Sequence, residues 1–567
     1  MTDRRKDLDT VKQYHEATKH HIRRASRSLG YLDWANQPDP FRRYEGAPQL
    51  PLVVPSGHEG TTWDGLFRGL QSPAPVDAAS ISRLLYDSLA ISAWKQVTGP
   101  EGEVLSRWAL RVNPSSGNLH PTEGYLVTGP VPGLANEAGV LHLAVKEFAL
   151  EQQGTIAAAD WTRWTSDWPH GASLVGLTSI HWREAWKYGE RAFRYCQHDA
   201  GHAIAAVTLA AACLGWRVRL LEMVDTATIG RLLGTHRQAG PEAEHPDCLL
   251  AVFPGGNDHP DIPVGPVPAI AWQGEPNTLS PEHHPWPIID EVTAACTWPG
   301  GTRPGDTSSG DTSSGDTWQG HPRPAPRGTE TVENSLERGH SARNLIRQRR
   351  SAVAMDGETG IPMEGFTRLL DRLLPGRLPF TAVPWPPQVS LVLFVHRVDG
   401  LDPGLYLLAR APEHEGELRD LMRQDFTWAR PEGIPRDLPL FRLAAGDLRE
   451  AARMLSCRQE IAADGAFSLG MLARFDAALA EFGPGFYPRL FWETGMIGQM
   501  LYLEAEAAGL RGTGIGCFFD DEVHGGLGLK GTGWQSLYHF TVGGAVDDPR
   551  LRTGEAYPEK SGTPHRG

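Results

Sequence analysis

Lysine is scarce in this chain of 567 residues: of its 54 basic residues eight are lysines and the other 46 are arginines. Where arginine is the default cation, a mid-chain lysine such as Lys187 raises the question of what it is for. Cysteine is scarcer. The six residues Cys196, Cys213, Cys248, Cys296, Cys457 and Cys517 lie far apart with no C-x-x-C pair, so neither a disulfide framework nor a cysteine zinc knuckle is expected. No apolar run approaches the length of a membrane span, and the first ten residues, MTDRRKDLDT, are strongly charged, so the expectation is a soluble cytoplasmic protein without a membrane partner. Clustered positive charge is missing too. A net charge of −14 argues against a nucleic-acid partner, because such affinity rests on grouped cations. What remains is a globular composition, 40% hydrophobic and 22% charged, on a chain too long for one core.

The chain divides where apolar residues run out. From about Thr297 it reads WPGGTRPGDTSSGDTSSGDTWQGHPRPAPRG, which cannot bury enough surface to offset its ordering entropy. A flexible linker is therefore predicted over 297–334, between a first half 1–296 and a second half 335–567. The halves read as copies. GHAIAAVTLAAACLGWRV from Gly201 aligns with GMIGQMLYLEAEAAGLRG from Gly495 at a shift of 294, which also pairs Gly215 with Gly509 and Gly234 with Gly528. Both stretches carry apolar residues at helical spacing and end at a glycine placed for a left-handed cap. Downstream, LLAVFPGG and LYHFTVGG each read as a strand running into a glycine pair. Helices alternating with strands in both copies predict an α+β architecture, and two similar halves on a long tether can pack as an intramolecular pseudo-dimer.

Two stretches carry candidate chemistry. NPSSGNLHP, residues 113–121, sets Ser115, Ser116, Gly117 and Asn118 between two prolines, a composition for an ordered turn ahead of the strand-like EGYLVTG. HWREAWKYGERAFRYCQHDAGH, residues 181–202, holds Lys187 and Tyr188, then His198 and His202 four apart on one helical face with Cys196 and Asp199 close by. That spacing suits a zinc or iron site, but the glutamate of H-E-x-x-H is missing and no third ligand follows at a recognisable spacing, so no metal residues are assigned.

Together, RVNPSSGNLHPTEGYLV, YGERAFRYCQHDAGHAIAAVTLAAACLGW, RQRRSAVAMDG and GMIGQMLYLEAEAAGLRGTGIG resemble the FMN-dependent nitroreductase superfamily, and more narrowly its SagB/ThcOx-type dehydrogenase branch in a tandem two-domain form. The resemblance covers most of both halves and implies two nitroreductase-like domains with FMN at their interface. In that family an arginine- and serine-bearing segment of one subunit holds the flavin, and a P-S-S-x-N loop comes from the other. Arg349, Arg350 and Ser351 match the first element; Pro114, Ser115, Ser116 and Asn118 match the second. Each half lacks the element that the other has, which implies one competent flavin site per chain and a degenerate mirror-related one, with the turn's hydroxyl and amide groups on the flavin's polar edge. Arg111 is a second candidate for the FMN phosphate, and Arg550 and Arg552 are further ones.

The branch's azoline-oxidising members imply a Lys-Tyr base, matched by Lys187 and Tyr188. Aromatising an azoline removes a carbon-bound proton, which a lysine or tyrosine of lowered pKa would take. Tyr487, Arg489 and Trp492 are candidates to cover a flavin face. The substrate implied is a small molecule or modified peptide. Alternatives left open are an NAD(P)H-dependent nitro or quinone reductase binding nicotinamide transiently, a non-catalytic or metal-binding scaffold, and higher homo-oligomers.

Overall fold

The computed structural model describes residues 2–57, 60–69, 71–99, 103–255, 262–300 and 340–558; the predicted linker lies outside them from residue 301 on. Its first four residues are placed, and Trp298 is held by Thr226, whose amide donates to the Trp298 carbonyl and whose hydroxyl accepts from the Trp298 amide.

The first half forms a sheet whose main strands are β1 (Thr122–Thr128), β2 (Ala138–Ala144), β3 (Ala149–Ile156), β4 (Ser173–Ser179), β5 (Trp216–Leu220) and β6 (His245–Pro254), with the short strands Gln49–Pro51 and Ala271–Trp272 added on β3. The second half uses β7 (Val389–Val395), β8 (Gly404–Leu408), β9 (Leu440–Ala445), β10 (Phe467–Ala473), β11 (Arg511–Ile515) and β12 (Gln535–Gly543). Side by side the strands run β3-β2-β1-β4-β6-β5 and β9-β8-β7-β10-β12-β11, an identical order in which every neighbouring pair is antiparallel. This shared topology carries the duplication further than sequence alignment does. The turn glycines agree as well: Gly215 and Gly509 have φ of 69° and 72°, Gly234 and Gly528 of 78° and 81°. All four sit in the left-handed region that an L side chain resists.

The central strands are buried on both faces. One face of each sheet joins a core running through both halves, and the other carries its own apolar cluster. Strands covered on both sides need no polar alternation, and β1 is buried throughout.

Two long buried helices, α1 (Ala192–Ala212) and α2 (Tyr487–Ala507), form the seam between the halves. They cross where Gly201 meets Gly495. A β-carbon on Gly495 would collide with the His198 carbonyl and lie 2.8 Å from the Gly201 α-carbon; one on Gly201 would collide with the Trp492 carbonyl. Backbone cannot swing aside as a side chain can. Gly495→Ala is therefore expected to lower stability by about 1–3 kcal/mol, although the same change in an uncrowded helix would raise it by about 1 kcal/mol. Urea unfolding measures the sign, and an unchanged or raised midpoint would refute so close a crossing.

Each half also reaches across the seam. The N-terminal helix Thr2–Ala17 packs on the second half: Lys12 pairs with Asp476 at 2.6 Å, and the His15 ring nitrogens bond the Tyr487 hydroxyl and Gln535, each at 3.2 Å. In return the strand Leu551–Gly554 joins the edge of Ile91–Thr98, and the Tyr557 hydroxyl accepts from the Ile91 amide and donates to the Val145 carbonyl.

The cysteine expectation needs correction. Cys457 and Cys517 form a disulfide that joins the turn before β10 to the loop after β11. A separation of 60 residues leaves no spacing motif to read, because the partners meet only once the second sheet has folded. The other four cysteines are free and buried. Among the described residues no helix is long and apolar enough to cross a membrane.

Candidate functional site

The NPSSGNLHP segment is an ordered loop, closed by a single 3-10 turn over Ser116–Asn118, with Gly117, Asn118 and His120 all at positive φ. Its polar groups hold that shape. The Ser115 hydroxyl accepts from the His120 amide at 2.7 Å, and the Asn118 side-chain amide donates to the Ala109 carbonyl at 2.9 Å. Ser116 donates through its amide and hydroxyl to Asp199 on α1, at 3.1 and 3.0 Å. Asp199 is pushed up to about 7 by burial, opposed by these serine hydrogen bonds. Pro114 is buried behind the loop.

The Lys187–Tyr188 pair ends the helix His181–Tyr188, which Gly189 terminates at a φ of 55°. Both side chains reach the loop's tip: a β-carbon on Gly117 would lie 2.6 Å from the Tyr188 hydroxyl and 3.1 Å from Lys187 Nζ. Lys187 Nζ also stands 5.2 Å from the Tyr188 ring centroid. Burial, with Glu184, Tyr195 and Asp199 nearby, pushes Tyr188 well above its ordinary value, which favours the protonated hydroxyl. Beneath the pair, Glu184 is buried with neither carboxylate oxygen partnered among the described residues.

Across the seam, Arg349 and Arg350 follow the short helix Ala342–Gln348. The Arg349 guanidinium is buried 4.9 Å from the Tyr502 ring centroid, donates to the Arg111 carbonyl at 3.3 Å, and leaves Nε and Nη1 without partners. That carbonyl lies two residues before the serine loop begins. Arg350 donates to the Arg347 and Arg349 carbonyls at 2.9 and 2.7 Å. Burial, then the Arg349 and Arg347 charges, pull Arg350 down to about 10. Lys95, from the first half, is lowered by burial and then by Arg350. Arg511 stands close to the same group and pairs with Glu506 at 3.1 Å. Five cations thus gather with few acids among them, an arrangement that favours an incoming anion. Ser351 is exposed and donates to the Tyr502 hydroxyl at 3.1 Å.

Between the loop and the arginines the seam is lined by residues that sequence reasoning did not single out. The Tyr538 ring stacks on His198 at 4.2 Å, its hydroxyl is 3.3 Å from His202 Nε2, and Tyr195 lies 4.4 Å from Tyr188. Opposite them runs GTGIG, where a β-carbon on Gly514 or Gly516 would collide with Tyr538 or Tyr195. The alternate glycines of GTGIG were the available signal.

Other candidates are engaged elsewhere. Arg111 donates to the Thr122 and Pro40 carbonyls inside the first half, bracing the base of the serine loop. Arg550 is paired with Asp548 on the surface, and Arg552 is exposed on the edge strand. Tyr487, Arg489 and Trp492 sit near the start of α2; Tyr502 lies thirteen positions further along the helix than Arg489, about 20 Å at 1.5 Å each. They line the far end of the seam instead. His198 and His202 hydrogen-bond Thr494 and Gln499 of the second half, and burial lowers both, His202 to about 3. Both imidazoles are seam hydrogen-bonders.

Comparison with known proteins matches the nitroreductase family model at residues 72–252 and again at 405–544. No curated protein matches. Among solved structures, a protein described as a nitroreductase from Anabaena variabilis is similar over 95% of this chain and 99% of its own, with a TM-score of 0.64 at 20% identity. A chain of the Escherichia coli microcin synthetase McbBCD complex, solved with truncated pro-MccB17 bound, aligns over 45% of this chain and 94% of its own at 16% identity and a TM-score of 0.25. A protein from Exiguobacterium sibiricum described as a nitroreductase in complex with FMN aligns over 36% of this chain and 88% of its own, at 12% identity and a TM-score of 0.23.

Proposed function

The chain belongs to the nitroreductase family, and from that premise we propose that it is an FMN-dependent oxidoreductase of the SagB/ThcOx type, oxidising an azoline or similar heterocycle in a modified peptide. The observation that carries the cofactor reading is Arg349, a buried guanidinium with two unpartnered nitrogens in an under-neutralised cationic cluster at the seam. A phosphate monoester carries between one and two negative charges near neutral pH and accepts forked donors, so it fits that gap. Arg349 and Arg350 hold the phosphate, with Lys95 and Arg511 adding charge.

When bound, FMN supplies the hydride acceptor. The protein's part is placement and proton removal. Asp199 clamps the serine loop through Ser116, so that Gly117 and the Lys187–Tyr188 pair face each other at a fixed distance. Tyr188 donates a hydrogen bond to the ring heteroatom, and Lys187 takes the proton from the ring carbon.

The test is a thiazoline-bearing peptide mixed anaerobically with the yellow protein. Bleaching of the flavin with loss of two hydrogens from the peptide is expected. Bleaching by NADPH alone, with the peptide untouched, would make the chain a nitro or quinone reductase instead. Flavin content is expected at one per chain, because only one end of the seam carries both matching elements. Two per chain, measured by absorbance after denaturation, would refute the single site.

A further inference from the structure

The strand Ile91–Thr98 pairs with Leu551–Gly554 on one side and with Val104–Arg111 on the other, so Val104–Arg111 is the free edge of a three-stranded sheet. Its first four residues are exposed, Val104 and Leu105 by 54% and 63%. The strand then runs through Arg111 directly into the serine loop, whose tip meets Lys187 and Tyr188. An open edge is a row of unpaired backbone groups that folded proteins ordinarily cover or charge.

Existing hydrogen bonds show which way this edge faces. The Leu110 carbonyl accepts from the Ser92 hydroxyl, and the Val112 amide donates to the Ala90 carbonyl, so both residues turn their backbone toward the hairpin partner. Ala109 turns away: its carbonyl accepts from the Asn118 side-chain amide at 2.9 Å and lies 3.3 Å from His120 Nε2. The serine loop thus caps the edge at Ala109 and no further. Alternation along a strand gives Arg107 the same outward amide and carbonyl, because the register is unbroken from Ala109 opposite Trp94 to Ser106 opposite Val97. Among the described residues no backbone group bonds to either. The Arg107 side chain lies back on the Trp94 ring at 4.2 Å, and the ladder skips Leu105, whose bulge ends the regular edge.

An outward amide and carbonyl on one residue, beside exposed aliphatic side chains, form a pattern that an extended polypeptide completes with its own carbonyl, amide and side chains. Two steps along the strand lead from Arg107 to Ala109, about 7 Å at 3.3–3.4 Å each, so a chain paired at Arg107 reaches the serine loop within about two residues. We infer that the exposed edge Val104–Arg107 is the docking track for the peptide substrate, which adds to the sheet as a further strand and carries its heterocycle past Ala109 to the serine loop. The inference rests on the peptide-oxidising reading above for the identity of the occupant, and on the edge alone for the mode of binding.

The probe is a labelled heptapeptide of valine and threonine around a central thiazole, already aromatic, whose binding to the flavin-loaded protein is followed by fluorescence anisotropy. Arg107→Pro is expected to weaken binding by about tenfold with flavin content unchanged, because proline at an edge position whose amide faces solvent removes that donor and no ladder bond. Arg107→Ala keeps the amide and is expected to bind as the unaltered chain does. Should Arg107→Pro not fold, methylating the backbone amides of the heptapeptide serves alone and is expected to weaken binding to the unaltered chain to a similar degree. Undiminished binding in Arg107→Pro or by the methylated peptide, equal losses in Arg107→Pro and Arg107→Ala, or no binding at all would overturn the inference. So would a dimer of the chain, seen by light scattering, that Arg107→Pro dissociates. Amide-dependent binding of a heptapeptide whose thiazoline form is never oxidised would uphold the track and refute the azoline reading. Oxidation of that form with the same KM in Arg107→Pro and the unaltered chain would overturn the track and leave the azoline reading standing.

Discussion

Replacing Arg349 and Arg350 together by alanine is expected to strip the flavin from a chain that still folds. Each guanidinium lost removes a charge-assisted bond to phosphate worth about 1.5–3 kcal/mol, so the pair accounts for about 10²–10⁴-fold in affinity. The effect on the empty protein runs the other way. Arg349 has two buried unpartnered nitrogens and repels Arg350, so its removal relieves desolvation and like-charge repulsion at the loss of one long bond to the Arg111 carbonyl. The apoprotein's melting temperature should hold or rise, the pattern of residues kept for binding at the expense of stability. Flavin retained at full occupancy would remove both arginines from the site. A large fall in apoprotein stability would reassign them to the fold.

How far the sequence could lead depended on whether a feature is local. Helix spacing and left-handed glycines are set within a few residues, so Gly215 with Gly509 and Gly234 with Gly528 were legible as repeats. Gly201 and Gly495 were legible as a pair too, but their reason was not, since the crowding comes from the other helix's backbone. Motifs indicated which residue types to examine, yet not where their hydrogen bonds go. Arg111 braces its own half, and Ser115 and Asn118 are spent shaping the loop that was expected to donate from them. Tyr538 and Lys95 had no signal, because they meet the His198 and His202 imidazoles or the arginines only through the packing of one half on the other. The exchanged terminal arms and the Cys457–Cys517 bond are of the same kind: contacts between distant segments leave no pattern in either one.

Lys187→Met is expected to slow substrate oxidation by about 10²–10⁴-fold, the usual worth of a positioned general base. Flavin content and substrate KM should stay close to normal, because the side chain meets the loop tip and the Tyr188 ring but none of the cationic cluster. The assignment to lysine rather than tyrosine follows from the surroundings of each. Tyr188 is half-buried, and desolvation with Glu184 and Asp199 nearby raises its proton affinity, so a tyrosinate is the less accessible base. Lys187 is partly exposed at the end of its helix and can exchange its proton with solvent between turnovers. Tyr188→Phe should then lose about tenfold, the share of one hydrogen bond. Lys187→Arg should not rescue the rate, since a guanidinium keeps its charge and cannot accept a proton at working pH. Stopped-flow bleaching of the flavin by a thiazoline peptide separates these cases. Full activity in Lys187→Arg would show that position 187 needs only a positive charge, and the proton would have to leave by another group.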